Sequence, residues 1–285
     1  MVNKLLGSEN IFYDKMVRYT FFRWTGGKEW LWKLLKPYLI SDDHDTYIEP
    51  FLGGGAIAIH YLKWCRKHNV SKKFILSDTN RGLINAYIQI RDNVDGLMAY
   101  LDMLDNAEDK REVYYERRKL YNSIDKDSVR SAGLFIWLMA NGWRGLYRVN
   151  RNGEYNSPFG TAKEHSYTPG TLRLLSILFR DVTFICASYE EIDSDGLIYL
   201  DPPYINTYNS YSLNAPNNQE LLAYIAKHQP RSTIFVSNNQ HFLAPKQSII
   251  VVETSVYEKS KTIVTNKRAE YVWMVSGDIS ESINN

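Results

Sequence analysis

The stretch Gly196-Leu197-Ile198-Tyr199-Leu200-Asp201-Pro202-Pro203-Tyr204 decides the fold of this chain. It begins as an apolar run of strand length and stops abruptly at an acid followed by two prolines. A buried strand that ends in this way presents a carboxylate, a backbone carbonyl and an aromatic face together at the end of a sheet. Each proline fixes its own φ at about −65°, and Pro203 also restricts Pro202, so the turn has few conformations to lose. The stretch therefore predicts a rigid corner at the edge of an α/β sheet.

This corner carries groups that can hold a planar amine. The Asp201 side chain and the Pro202 carbonyl can each accept one amino hydrogen, while the Tyr204 side chain can stack on the ring that carries the amine. Two acceptors draw the nitrogen of an exocyclic amine towards tetrahedral geometry and free its lone pair to attack an activated methyl group. The alternative is an ordinary strand exit in which Asp201 caps a turn and Tyr204 packs, because turn chemistry alone favours Asp and Pro. The tetrapeptide by itself leaves both interpretations open.

Length and composition narrow the class of protein. A chain of 285 residues suits one large α/β domain or one domain with an insertion. Hydrophobic residues make up 44% and charged residues 23%, which is typical of soluble globular proteins. No run of about eighteen apolar residues occurs, and residues 1–10 lack the apolar segment of a signal peptide. We therefore expect a cytoplasmic protein without a membrane span.

Cysteine and histidine usage gives no sign of a metal site or a disulfide framework. Cys65 and Cys186 lie far apart in the sequence, and the histidines are scattered without metal-ligand spacing. The histidines are His44, His60, His68, His165, His228 and His241. We therefore expect no bound metal.

The positive charge is concentrated, although the net charge is only +2. Arg144, Arg148 and Arg151 alternate with aromatic and apolar residues, and Lys163 and His165 follow shortly after. A second basic group lies near the C-terminus, at Lys259, Lys261, Lys267 and Arg268. Either group can be a nucleic-acid contact or a solvated basic loop, and charge alone does not decide between them.

A glycine-rich turn lies between two predicted strands. Thr46-Tyr47-Ile48-Glu49-Pro50-Phe51-Leu52-Gly53-Gly54-Gly55 predicts a strand and a turn, and a helix is expected over 56–68. Lys73–Asp78 predicts a second strand that ends in an acid able to accept hydrogen bonds from both ribose hydroxyls. This pattern favours a nucleoside site over a merely structural βαβ unit. An earlier pair, Gly26-Gly27, precedes Lys28 and a helical pattern over 29–39, and offers backbone N–H groups to an anion.

The middle of the chain is predicted to be helical and to end in a hairpin. Apolar spacing predicts helices between 83 and 130 and a buried helix over 131–140, in which Phe135 and Trp137 are packing residues. Asn152-Gly153 between short extended runs is a strong hairpin signal. Arginines that alternate there with Trp143, Leu146 and Tyr147 suit insertion into a DNA groove. Further strands are expected over 182–187, 233–237, 248–254 and 269–275, with helices over 171–179 and 218–228.

Five sequence blocks in a fixed order resemble the Dam-type (alpha-class) DNA adenine-N6 methyltransferases. The blocks begin at Phe21, Glu49, Ser77, Arg144 and Asp201, and read FFRWTGGK, EPFLGGG, SD, RGLYRVN with a later PFG, and DPPY. The resemblance runs from about residue 21 to about residue 275. It implies a Rossmann-like catalytic sheet with helices on both faces, which binds S-adenosyl-L-methionine, and an inserted helical target-recognition domain with a β-hairpin. We place the catalytic domain at residues 1–82 and 178–285 and the target-recognition domain at 83–177.

The resemblance also implies roles for individual residues. The implied cofactor-binding residues are Trp24, Lys28, Phe51, Gly53, Gly55, Asp78 and Asp201. The implied catalytic residues are Asp201 and Pro202, which hold the amine, and Tyr204, which stacks on the base. The implied DNA contacts are Arg23, the intercalating Trp143, Arg144, Leu146, Arg148 and Pro158.

Two positions depart from relatives that methylate GATC. Arg144 stands where they usually carry Asn or Ser, and Thr161 stands where a basic residue is common. The expected target is an adenine flipped from duplex DNA, in GATC or a related short site. The alternatives are methylation of cytosine N4 or of an RNA amine, or an inactive DNA-binding relative. A cognate restriction endonuclease is a candidate partner, and a monomer or weak dimer is the expected state.

Overall fold

A seven-stranded sheet forms the centre of the structure, a computed structural model that describes residues 21–24, 26–106, 110–160, 167–203, 216–238, 248–255 and 267–276. The strands are β1 (Thr46–Glu49), β2 (Lys73–Asp78), β3 (Val182–Cys186), β4 (Leu197–Leu200), β5 (Thr233–Asn238), β6 (Ser248–Ser255) and β7 (Lys267–Val275). Their order across the sheet is β3-β2-β1-β4-β5-β7-β6. The first five strands pair parallel with one another, whereas β7 runs antiparallel to both β5 and β6.

Eight α-helices lie in the described ranges. They are α1 (Trp32–Ile40), α2 (Ala56–Lys67), α3 (Arg81–Asp92), α4 (Val94–Asp105), α5 (Lys110–Ser123), α6 (Val129–Asn141), α7 (Pro169–Leu178) and α8 (Asn218–His228). Side-chain caps begin several of them, as when Asn80 accepts a hydrogen bond from the Leu83 N–H at the start of α3. A 3₁₀ turn at Glu29–Leu31 leads into α1 where the sequence predicted one continuous helix.

Alternation along the strands places two hydrophobic cores on opposite faces of the sheet. Tyr47 and Tyr199 point to one face and pack in a large core with α1, α2, α3 and α6, while Ile48 and Ile198 point to the other and pack against α8. A parallel sheet needs cover on both faces, because its central strands are apolar throughout. All four residues of β4 are buried, as the opening stretch predicted. The predicted Rossmann-like α/β architecture with helices on both faces is confirmed.

The strand order reverses between β1 and β4. From β1 the chain proceeds outwards to β2 and β3, and then returns to pair β4 with the other side of β1. Loops that follow two such strands leave in opposite directions and open a crevice at the carboxyl ends, where ligands bind in folds of this kind. The glycine turn after β1 and the Asp201 corner after β4 both border this crevice.

The division into two domains stays a prediction. One apolar core continues across both proposed boundaries. Leu83 and Phe135 belong to the same buried cluster as Tyr47 and Phe74 of the sheet. Phe135 and Trp137 are 1% exposed, which confirms that they are packing residues. None of the helices in the described ranges combines the length and the apolar character needed to cross a bilayer.

Candidate active site

A cavity of about 1640 Å³ opens at the carboxyl ends of β1, β2 and β4. It brings together all the described residues to which the resemblance gave cofactor or catalytic roles. These are Trp24, Lys28, Phe51, Gly53, Gly55, Asp78, Asp201 and Pro202. Arg23, Arg144 and Leu146 of the expected DNA contacts line the same space. Asp201 and the glycine turn therefore share one cavity, as a direct transfer between ligands held at these two places requires.

The glycine turn needs its glycines for two separate reasons. Gly53 and Gly55 have φ values of 47° and 63°, in the left-handed region that other residues avoid. A Cβ on Gly53 would lie 2.6 Å from Nε1 of Trp24, so the indole already occupies the space over the turn. The Tyr87 hydroxyl, buried beneath, donates to the Gly53 carbonyl at 3.0 Å. The turn is thus fixed from above and from below.

Asp78 ties the end of β2 to the glycine turn. Its Oδ2 accepts the Gly53 N–H at 3.0 Å, and its Oδ1 accepts the Asn80 N–H at 2.9 Å. Burial raises the pKa of Asp78, and these backbone donors act in the opposite direction. An ionised carboxylate has about four acceptor positions, so two backbone bonds leave capacity for further hydroxyl donors. Asp78 therefore organises the turn in addition to any contact with a ligand.

The Asp201 carboxylate is held by a network of buried polar groups. Lys28 Nζ lies 3.1 Å from Oδ1, and the Ser237 hydroxyl donates to the same oxygen at 2.8 Å. Ser237 Oγ in turn lies 3.1 Å from the Tyr199 hydroxyl. Lys28 is only 5% exposed, so its ammonium is a buried charge paired with the acid. Sequence reasoning missed Ser237, although its place near the end of the next parallel strand was a signal.

Glu49 is a second acid that the sequence analysis left without a role. It lines the cavity, is 3% exposed, and accepts a hydrogen bond from the Tyr47 hydroxyl at 2.6 Å. Burial raises the pKa of Glu49 to about 8, and the nearby Asp201 charge contributes in the same direction. Burial thus favours the protonated, neutral form of Glu49.

Glu49→Gln should remove a pH-dependent penalty on the folded state. Between pH 4.5, the ordinary pKa, and about 8, folded Glu49 keeps a proton that the unfolded chain releases, so wild-type stability falls as pH rises. Urea unfolding measures this at about pH 5 and about pH 8. Relative to the wild type, the free energy of unfolding of the variant should be higher at about pH 8 than at about pH 5 by a few kcal/mol, on the order expected for such a shift. Asp181→Asn, at an exposed ion pair with Arg66, is the control. Parallel pH profiles for Glu49→Gln and the wild type would contradict the assignment.

Residues 142–160 form a loop closed at its base by main-chain contacts. Trp143 N–H donates to the Pro158 carbonyl at 2.9 Å, and Gly160 N–H donates to the Asn141 carbonyl at 2.8 Å. The predicted hairpin is present as an antiparallel bridge between Val149 and Tyr155. We call residues 142–160 the recognition segment, after the role that the sequence resemblance implies for them.

The start of the recognition segment exposes an aromatic and a cation together. Trp143 is 46% exposed, and Arg144 Cζ lies 4.6 Å from the centre of its ring. Arg144 has φ 56°, and a non-glycine residue in this conformation costs about 1–2 kcal/mol. Strain of this kind clusters at functional sites. Arg23 packs here as well, since a Cβ on Gly145 would lie 2.8 Å from the Arg23 Cβ.

Arg148 and Pro158 are exposed and lie outside the residues that line the cavity. The Arg148 guanidinium donates to Oδ1 of Asn156 at 2.8 Å and to its carbonyl at 3.0 Å. These two bonds fix the guanidinium plane and use two of its five N–H donors. Arg148 is therefore preorganised on the outer face of the segment.

The structure corrects the sequence interpretation of Tyr147. The alternation of residues placed it with the groups that enter a DNA groove, but the structure turns it inwards. Its ring stacks on Trp24 with centroids 5.6 Å apart and planes at 23°, and it also packs against Phe135. The reason is the 3₁₀ turn at Trp143–Gly145, which breaks the simple alternation of an extended strand.

Tyr204 and Thr161 lie outside the described residues, and so do Lys163, His165, Lys259 and Lys261. Phe51, one of the expected cofactor-binding residues, stacks on Tyr189 with ring centroids 5.2 Å apart. Tyr189 also lines the cavity, and sequence reasoning missed it. In the parts of the chain that the structure describes, His, Cys, Asp and Glu form no group of three or more that could hold a metal ion.

The fold and the site define the class of protein: an α/β enzyme in which a glycine turn and the Asp201–Pro202 corner share one cavity. The model of the D12 class N6 adenine-specific DNA methyltransferases matches residues 24–263. The chain belongs to this family of adenine-specific DNA methyltransferases.

Relatives support the same assignment. The Type II methyltransferase M.MjaIII of Methanocaldococcus jannaschii is 30% identical over 246 residues, which cover 78% of this chain and 84% of the relative. A DNA adenine methylase of Vibrio cholerae is 30% identical over 234 residues, which cover 77% and 80%. Among solved structures, the rRNA methyltransferase aviRa of Streptomyces viridochromogenes matches 91% of this chain and 90% of its own, at 14% identity and a TM-score of 0.39. A likeness that distant carries no weight for function.

Proposed function

We propose that this enzyme transfers the methyl group of S-adenosyl-L-methionine to N6 of an adenine turned out of duplex DNA, in GATC or a related short site. The observation that supports it is the shared cavity of Asp201, Pro202 and the Gly53–Gly55 turn. We assign one of the two reactants to each side of this cavity, so that the amine and the methyl donor meet in one space.

The glycine side of the cavity suits the cofactor. Left-handed glycines leave room for a ligand to approach the main chain, and Asp78 has acceptor capacity that ribose hydroxyls can use. When bound, S-adenosyl-L-methionine supplies a methyl group on positively charged sulfur. Trp24, which lies against the turn, and Phe51, which borders the cavity, supply apolar surface that excludes water from this place.

The proline corner suits the target amine. Lys28 and Ser237 both contact Oδ1 of Asp201, so we assign Oδ2 and the Pro202 carbonyl to the two amino hydrogens. Both acceptors are held rigidly, Oδ2 through the network at Oδ1 and the carbonyl through the two prolines. Such fixed acceptors need no reorganisation as positive charge develops on the nitrogen. By the resemblance, Tyr204 stacks on the adenine ring.

The recognition segment suits the duplex. A base that leaves the stack costs a few kcal/mol, and an exposed aromatic such as Trp143 can fill the gap it leaves. Arg144, Leu146, Arg148, Pro158 and Arg23 are the proposed contacts to bases and backbone. A monomer or weak dimer remains the expected state, and a cognate restriction endonuclease remains a candidate partner.

Methyl transfer from labelled S-adenosyl-L-methionine to DNA and to RNA, followed by digestion to nucleosides, tests the proposal. We expect labelled N6-methyladenine from duplex DNA and no product from RNA. N4-methylcytosine, or a product from RNA alone, would contradict the proposal. Sequencing of methylated bases in cells that express the enzyme then gives the recognition site.

Arg148→Ala should lose discrimination at one base pair. A preorganised arginine that reads a base edge contributes about 1–3 kcal/mol of discrimination, equivalent to about a 5- to 150-fold change in relative affinity. Competition binding of duplexes that differ at single positions of the mapped site measures it. Arg151→Ala, at the exposed outer end of the hairpin, is the matched control and should weaken all duplexes equally. If Arg148→Ala weakened the binding of all duplexes equally, Arg148 would contact a phosphate rather than a base.

A further inference from the structure

Tyr147 is the point at which the recognition segment reaches the cofactor side of the cavity. Its immediate neighbours in the chain, Leu146 and Arg148, are proposed DNA contacts, yet its own side chain lies half-buried against Trp24. The two rings are stacked with centroids 5.6 Å apart. Trp24 in turn lies directly over the glycine turn, where a Cβ on Gly54 would stand 2.9 Å from the Trp24 Cβ. The ring of Tyr147 therefore supports the residue that covers the turn.

Asn80 lies on the side of the Tyr147 hydroxyl, and both residues line the cavity. Burial raises the pKa of Tyr147 to about 12, and the Asn80 side chain acts in the opposite direction. Asn80 also donates its backbone N–H to Asp78, whose other oxygen holds the Gly53 N–H at 3.0 Å. The ring of Tyr147 thus contacts Trp24 over the glycine turn, and its hydroxyl faces the residues that hold the turn from the side of Asp78.

We propose that Tyr147 is a positioning residue that couples DNA recognition to cofactor binding. A duplex that orders Leu146 and Arg148 also fixes Tyr147, and with it Trp24 and Asn80 at the glycine turn. Thermodynamic linkage requires the reverse as well: a bound cofactor fixes Trp24 and Asn80 and so favours the conformation of the recognition segment that binds its site. This inference rests on the proposed function, because it assumes that the glycine turn binds the cofactor and that the segment binds DNA.

The coupling is measured as a ratio of two dissociation constants. The probe is S-adenosylhomocysteine, which cannot donate a methyl group, and its affinity is determined without DNA and with a short duplex that carries the mapped site. In the wild type we expect this duplex to tighten binding by about 5- to 150-fold, the usual range for coupled sites. Tyr147→Leu removes both connections and should bring the ratio close to one. Tyr147→Phe keeps the stack but loses the hydroxyl that faces Asn80, and should lower the ratio by a smaller factor, about two- to tenfold, the size expected for one polar contact.

A tyrosine on α5 that contacts the same segment provides the control. The Tyr115 hydroxyl accepts the Phe159 N–H at 3.5 Å, at the far end of the recognition segment, so Tyr115→Phe removes a comparable group. It should leave the ratio at its wild-type value. Far-UV circular dichroism and thermal unfolding show whether each variant is folded, and Tyr147→Phe tests the proposal even where Tyr147→Leu does not fold.

The possible results separate this inference from the proposed function. Equal ratios in the wild type and in Tyr147→Phe, or a wild-type ratio of one, would contradict the coupling while N6-methyladenine formation by the wild type still supports the function. Absence of N6-methyladenine from the wild-type reaction would instead refute the proposed function, and the inference with it. A lowered ratio in Tyr147→Phe, with Tyr115→Phe unchanged, supports the coupling.

Discussion

Asp201→Ala should reduce methyl transfer to duplex DNA by about 10³-fold or more, the largest effect expected of any single substitution in this chain. The change removes an acceptor that stabilises positive charge as it develops on the attacking nitrogen, and one such oriented group is worth about 10²–10³ in rate. It also leaves the Lys28 ammonium, 3.1 Å from Oδ1 in the native structure, without its acid partner. A misplaced lysine charge next to the reacting nitrogen opposes the transfer further.

Single-turnover methylation with saturating cofactor and DNA measures this effect on the chemical step. Asp193→Ala is the matched control, because Asp193 forms an exposed ion pair with Lys227 near the start of β4, at the opposite end of the sheet. The control should retain the wild-type rate. Lys28→Met combined with Asp201→Ala tests the cost of the unpaired ammonium. The double variant should be more stable to unfolding than Asp201→Ala alone. An Asp201→Ala enzyme whose rate lies within about threefold of the wild-type rate would contradict the proposed role.

Gly53→Ala should weaken cofactor binding by about 10- to 100-fold. The added methyl group forces a φ of 47° on an alanine and meets Trp24 Nε1 at 2.6 Å, so both the turn and the indole must move. The backbone cost is about 1–2 kcal/mol, and an extra methyl group in a packed place typically costs a further 1–3 kcal/mol. Part of this sum falls on the folded state as a whole, and the remainder falls on the cofactor-binding conformation.

Titration calorimetry with S-adenosylhomocysteine measures the effect on binding. Gly153 provides a control that separates the two causes, since it has φ 77° but nothing within 4 Å of an added Cβ. Gly153→Ala therefore carries the conformational cost without the steric one, and should leave the dissociation constant unchanged. If both substitutions weakened the cofactor equally, general destabilisation rather than the shape of the turn would explain the loss.

Local patterns were sufficient to predict the strands and the ends of the sheet. The run from Leu197 to Leu200 and the turn after Glu49 each carry their signal within ten residues, because β-strands and glycine turns depend on near neighbours. The common cavity of Asp201 and the Gly53–Gly55 turn was also predictable, since parallel strands on either side of a switch point bring their carboxyl ends together.

Contacts between distant parts of the chain were not predictable in this way. The bonds from Lys28 and Ser237 to Asp201 span 173 and 36 residues of sequence, and no local pattern shows that these three side chains meet. The raised pKa of Glu49 could not be predicted from the sequence, because burial and the proximity of Asp201 are properties of the folded state. Tyr147 was misplaced because one 3₁₀ turn rotates the residues that follow it.

The closure of the recognition segment on main-chain atoms bears on how target preference can change among such enzymes. A Cβ on Gly160 would stand 2.6 Å from the Gly142 carbonyl oxygen, so the two strands touch at their base through backbone alone. Outward-facing residues between these glycines can therefore be exchanged without disturbing the helices and sheet that carry the chemistry. The inward-facing Tyr147 does not share this freedom, and mutational drift in the segment should be confined to its outer surface.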